Sequence, residues 1–136
     1  MSKQLTALVA VLLFMAWALP AMALTNILTL DPDGLGNLAT ISVSQADTAD
    51  LYAEIQQIGV SNMANISQEG SALRAVIGQN GSGNFAEIFQ AGSNLQAYIT
   101  QVGTNNYAST TQTGSNQFSY IYQNGTGNRA TVVQSN

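Results

Sequence analysis

From Leu51 onward, apolar or small residues and a recurring amide occupy every second position of short words, and the alternation restarts every eleven residues. Gln followed two residues later by Gly occurs at Gln57, Gln68, Gln79, Gln90, Gln101, Gln112 and Gln123, and Gln134 falls on the same grid. Two residues before each Gln stand Ile55, Ile66, Ile77, Ile88, Ile99, Thr110, Ile121 and Val132. Four before stand Ala53, Ala64, Ala75, Ala86, Ala97, Ala108, Ser119 and Ala130. Six before, two kinds alternate: Leu51, Leu73, Leu95 and Gln117 open one set of words, Asn62, Asn84, Asn106 and Asn128 the other. The word is Leu/Asn-x-Ala-x-Ile-x-Gln-x-Gly, and its alternation makes the full unit twenty-two residues.

A spacing of eleven could also suit a helical supercoil, because eleven residues fill three helical turns. The interior of the word excludes that: fixed positions two apart lie on one face of a strand, while a helix needs spacings of three and four. Five steps separate each Gln from the next Leu or Asn, an odd number, so a straight strand would turn the fixed residues to its other face. A chain reversal returns them to a common interior. The segments holding Gly59, Gly70, Gly81, Gly92, Gly103, Gly114 and Gly125 suit reversals, since Gly tolerates positive φ and the neighbouring Asn and Ser bond their own backbone. The expected fold is all-β, a cross-β solenoid of four strand-arc-strand coils, 51–72, 73–94, 95–116 and 117–136, forming two facing parallel sheets.

One coil cannot stand alone. Burying an Ile or Leu is worth about 1.5–3 kcal/mol, and ordering each residue costs about 1–2 kcal/mol in backbone entropy. Stacking coils about 4.8 Å apart, in sheets about 10 Å apart, places like residues in columns. The predicted apolar columns are Leu51, Leu73 and Leu95, with Ile55, Ile66, Ile77, Ile88, Ile99, Ile121 and Val132. The predicted interior amide ladders are Gln57, Gln68, Gln79, Gln90, Gln101, Gln112, Gln123 and Gln134, with Asn62, Asn84, Asn106 and Asn128. Stacked carboxamides donate and accept along a column, which offsets the cost of burying them.

Composition narrows the function. The 136 residues include three basic and seven acidic side chains, no Cys and no His. Lys3, Arg74 and Arg129 cannot form a phosphate-neutralising patch, so nucleic acid is not an expected partner. Without His or Cys, and with no acid recurring on the grid, catalytic triads, thiolate chemistry and His-rich metal sites are excluded, and no enzyme and no cofactor are expected. Asp31-Pro32-Asp33-Gly34 lacks the remaining ligands of a calcium loop and reads as a turn. Residues 1–23 read as a secretory signal peptide: Lys3, an apolar stretch from Leu5 to Leu19, and Pro20 before Ala21-Met22-Ala23. No membrane span is expected in the chain from Leu24.

These residues carry a family resemblance. Gln79-Asn80-Gly81-Ser82-Gly83-Asn84-Phe85-Ala86-Glu87-Ile88-Phe89-Gln90 resembles the curlin repeat, Gln-x-Gly-x-(Gly)-Asn-x-Ala-x3-Gln, and four copies span Leu51 to Asn136. The resemblance implies an extracellular functional amyloid: export to the periplasm, passage through a dedicated outer-membrane channel with accessory proteins, and polymerisation at the cell surface in biofilm matrix. Leu51, Leu73 and Leu95 stand where major-subunit repeats commonly carry Ser, so the chain is more similar to the minor subunit, which nucleates the fibre. The major subunit is the alternative, and the other curlin subunit is the implied partner.

Residues 24–50 form a separate acidic segment. It holds Asn37-x-Ala39-x-Ile41, the start of a word, but Val43 occupies the Gln position and the next grid residue arrives after fourteen. A degenerate coil or flexible arm is expected, and the resemblance implies that it addresses the secretion channel; an acidic solubilising arm is the plain alternative. No capping repeat follows Gln134, so the last strand should present an open edge, with the edge at Leu51 as its complement and a head-to-tail filament as the product. A monomeric solenoid that binds ice or glycan is the rival from another class. It requires a regular outward array, and the outward column Glu54, Val76, Tyr98, Tyr120 lacks one.

Overall fold

The computed structural model describes residues 8–9, 13–15, 27–45 and 50–136. These form ten strands: β1 (Leu8–Val9), β2 (Leu13–Met15), β3 (Ile27–Leu35), β4 (Leu38–Gln45), β5 (Leu51–Val60), β6 (Met63–Ser71), β7 (Leu73–Ser82), β8 (Phe85–Thr104), β9 (Tyr107–Thr126) and β10 (Arg129–Ser135). Among the described residues there is no helix, and so none long and apolar enough to cross a membrane. Every pairing is parallel. The fold is the expected β-solenoid with a twenty-two-residue spacing.

Two stacks of strands face each other. The first runs through β3, β5, β7 and the C-terminal halves of β8 and β9. The second runs through β4, β6, the N-terminal halves of β8 and β9, and β10. Leu51 pairs with Leu73, Ile55 with Ile77 and Gln57 with Gln79, so like residues stack without slip. One kind of arc keeps the ladder intact, which is why β8 and β9 each run for 20 residues through a reversal. The other kind interrupts it just before the Asn words.

Three expectations change. The edge at Leu51 is not open, because β3 and β4 form a further coil against β5 and β6. The word Asn37-x-Ala39-x-Ile41 explains this: all three residues are buried, with Ala39 on Ala64 and Ile41 on Ile66. Its register is offset by twenty-five up to the pair Gln45 and Gly70, then by twenty-two from Leu51, so the three extra residues lie between 45 and 51. Second, Asp31-Pro32-Asp33-Gly34 is not a free turn; it pairs with Gln56 to Gly59 as part of β3. Third, Val132 and Gln134 are half-buried and Asn128 is exposed, because among the described residues β10 has a strand on one side only. The proposed cleavage site, from Pro20 to Leu24, lies outside the described residues; Leu8–Val9 and Leu13–Met15 pair along β4.

Candidate assembly interface

The interior is a set of columns. In β5, Leu51, Ala53, Ile55 and Gln57 are buried while the residues between them are not, and β7 repeats the pattern with Leu73, Ala75, Ile77 and Gln79. Leu95, Ile99, Ile66, Ile88 and Ile121 complete the apolar columns among the buried residues. Where Thr110 replaces Ile, Ser119 replaces Ala, and the two hydroxyls face each other at 3.4 Å inside the last coils.

Both Gln columns form continuous amide ladders. Gln57 Nε2 donates to Gln79 Oε1 at 2.9 Å, Gln79 to Gln101 and Gln101 to Gln123. In the facing stack Gln68 donates to Gln90, Gln90 to Gln112 and Gln112 to Gln134. The second hydrogen of each amide crosses to a backbone carbonyl at the start of the opposite strand, as from Gln79 to Met63 O and from Gln90 to Arg74 O. Each Gln thus joins its own column and ties the two stacks together. A fully bonded buried amide is the condition under which polar burial is tolerated.

The Asn column explains the Leu/Asn alternation. At Asn62, Asn84 and Asn106 the backbone N–H donates to the Oδ1 of the Asn one coil below, in place of a ladder carbonyl. The Nδ2 donates to the same Oδ1 and to the carbonyl of an arc glycine one coil above, as from Asn84 to Gly103 O. Asn therefore repairs the interrupted arc, whereas Leu95 and Gln117 open words whose arcs run unbroken within β8 and β9.

The arc glycines are fixed sterically. Gly103 has φ of 121°, and a Cβ there would fall 2.0 Å from Gly125 O. The sequence did not disclose a second left-handed position four residues after each Gln, where φ runs from 52° to 69° at Ser61, Ala72, Gly83, Asn94, Asn105, Asn116 and Gly127. The excess of Gly and Asn there was the available clue.

Outward columns are mixed. Phe85 and Tyr107 stack at 5.1 Å with Arg129 over the Tyr107 ring, and Arg74 lies over the rings of Tyr52 and Tyr98. Tyr98 meets Phe118 at a tilt, and Phe118, Tyr120 and Tyr122 form an exposed aromatic group on one face. Among the described residues no group of three His, Cys, Asp or Glu is placed to hold a metal ion.

A repeat that stacks on copies of itself through matched columns, with a strand edge left unpaired among the described residues, defines a self-stacking β-solenoid. The family model for the curlin associated repeat matches residues 61–88, 72–103, 83–113 and 103–135, more than half of the chain. The chain belongs to the curlin associated repeat family. No curated protein matches it.

Proposed function

We propose that this chain is a non-enzymatic subunit of extracellular curli-type fibres. It is exported behind residues 1–23 through the periplasm and a dedicated channel, stacks head to tail at the cell surface, and supports biofilm and adhesion. The observation that carries the reading is the edge of β10, which among the described residues pairs with β9 alone while the Gln and Asn columns run up to it. An unpaired parallel edge whose side chains already sit in ladder register is a template for another coil.

Within the fibre we propose the nucleating role. Leu51, Leu73 and Leu95 are buried and make three of the four positions of their column apolar, which favours a solenoid that is ordered before it meets a partner. Trace amounts of the chain should shorten the lag of a major curlin subunit, read by thioflavin fluorescence. An unchanged lag would assign it to the bulk of the fibre. A purified chain that stayed monomeric for days at micromolar concentration would refute assembly altogether.

A further inference from the structure

The polar columns have direction. In both Gln columns the lower amide donates Nε2–H to the Oε1 above, so the C-terminal coil ends in the donors of Gln123 and Gln134, whose bonds so far reach only Tyr107 O and Phe118 O. In the Asn column the upper residue donates downward, and that column reaches the same end with the Oδ1 of Asn128 as its next acceptor. The two ends of a solenoid built this way are complementary, not alike.

The coil of β3 and β4 meets only one of the three columns. Asn37 Oδ1 accepts from Asn62 N and Nδ2. Opposite Gln57 stands Pro32 and opposite Gln68 stands Val43, neither of which has a carboxamide. At this coil Gln57 Oε1 and Gln68 Oε1 are buried without a hydrogen-bond partner, and the third such oxygen, Gln117 Oε1, lies in the last coil outside the Gln columns. Buried acceptors left this way are rare and call for an explanation. Among the described residues no strand lies beyond β3, and Pro32 has no N–H to offer one there. The outer edge of β3 is thus a poor template.

We infer that the coil of β3 and β4 is a displaceable plug, and that in the fibre its place on β5 and β6 is taken by the C-terminal coil of a second copy of this chain. The inference rests on the self-stacking reading above and specifies its junction. Gln123 and Gln57, Gln134 and Gln68, and Asn128 and Asn62 are each separated by sixty-six residues, three whole repeats, so one docking register aligns all three columns. In that register Gln123 and Gln134 donate to the two orphaned oxygens, and Asn62 donates to Asn128 Oδ1 in place of Asn37. The plug satisfies the Asn column, which keeps it seated in the isolated chain, and leaves both Gln columns for the incoming copy.

Cross-linking tests the register. The chain has no cysteine, and strands about 4.8 Å apart lie within disulfide reach. Fibres grown from the exported chain carrying Met63→Cys and Arg129→Cys should give disulfide-linked multimers on non-reducing gels, whereas Leu38→Cys with Arg129→Cys should not. The reverse pattern, or equal linkage, overturns the plug while leaving self-stacking intact; failure of the unsubstituted chain to form fibres overturns both. The second measurement needs no cysteine. Pro32→Gln with Val43→Gln supplies both missing amides, so the plug holds more tightly and the unseeded lag lengthens, roughly tenfold for two restored bonds. An unchanged or shorter lag means that β3 and β4 form part of the junction, and overturns the proposal.

Discussion

Gln79 Nε2 lies 2.9 Å from Gln101 Oε1 one coil above, and its other hydrogen reaches Met63 O at 3.0 Å in the facing stack. That one carboxamide links two coils and both sheets. Its own Oε1 accepts in turn from Gln57, so replacing it strands groups on three sides. Gln79→Leu should therefore destabilise the solenoid by about 2–4 kcal/mol, since Gln101 Oε1 and Met63 O lose their donor in a buried setting. Val76→Thr, on the outward face of the same strand, should stay within about 0.5 kcal/mol. Urea midpoints of the two variants check the difference, and equal midpoints would reverse the assignment of inner and outer faces.

Glycines in the same sheet should differ sharply. Gly103 sits at φ 121° with a neighbouring carbonyl 2.0 Å from where a Cβ would stand. Gly78 has nothing within 4 Å of that point and borders a shallow depression of about 160 Å³ between Gln56 and Thr100. Gly103→Ala should cost at least about 3 kcal/mol and abolish fibre formation, because both the backbone and the stacking distance forbid it. Gly78→Ala should be neutral or stabilise by up to about 1 kcal/mol through the unfolded state. Thermal unfolding with thioflavin kinetics on both variants decides the matter.

How much of this was legible in the sequence follows from where each cause lies. The columns of Ala, Ile and Gln were readable because a period of two inside a period of eleven leaves one solution for facing strands. The part played by Asn62 was not, since it depends on a backbone N–H that turns out of the ladder only once the arc is formed. The direction of the amide ladders was equally hidden: a Gln residue is the same letter whichever way its carboxamide points. The strand at Ile27–Leu35 escaped because its Gln position holds Pro32, whereas the neighbouring word at Asn37 was visible. Val132 was placed in the core by periodicity alone, and it is half-buried because no described strand lies beyond β10.

Ala72 occupies the left-handed position of its arc at φ 52° and Asn94 occupies the equivalent one at 55°. An L-residue with a Cβ pays about 1–2 kcal/mol there, and Gly avoids that penalty. Ala72→Gly should raise stability by about 0.5–1 kcal/mol after its greater unfolded-state entropy is subtracted. The usual cost of an added glycine would have the opposite sign. A lower urea midpoint for Ala72→Gly would show that the strain is already relieved elsewhere in the arc.

Among the described residues the buried polar side chains are Asn, Gln, Thr110 and Ser119, none of which ionises in ordinary aqueous conditions. Stability should consequently be flat from about pH 5 to 9, a range in which proteins with buried carboxylates or histidines change most. Tyr52 marks the alkaline limit. Its hydroxyl donates to Glu54 Oε2, and that bond, with slight desolvation and the nearby carboxylate charge, raises its pKa against the opposing influence of Arg74. A group whose folded pKa is raised stabilises fully below its ordinary value, about 10, and loses that contribution as pH climbs through the raised one. The loss should be small, because the ring lies at the surface, and Tyr52→Phe should remove it. Thermal midpoints across the range check both statements; a fall of several degrees between pH 8 and 5 would require an ionisable group inside the columns.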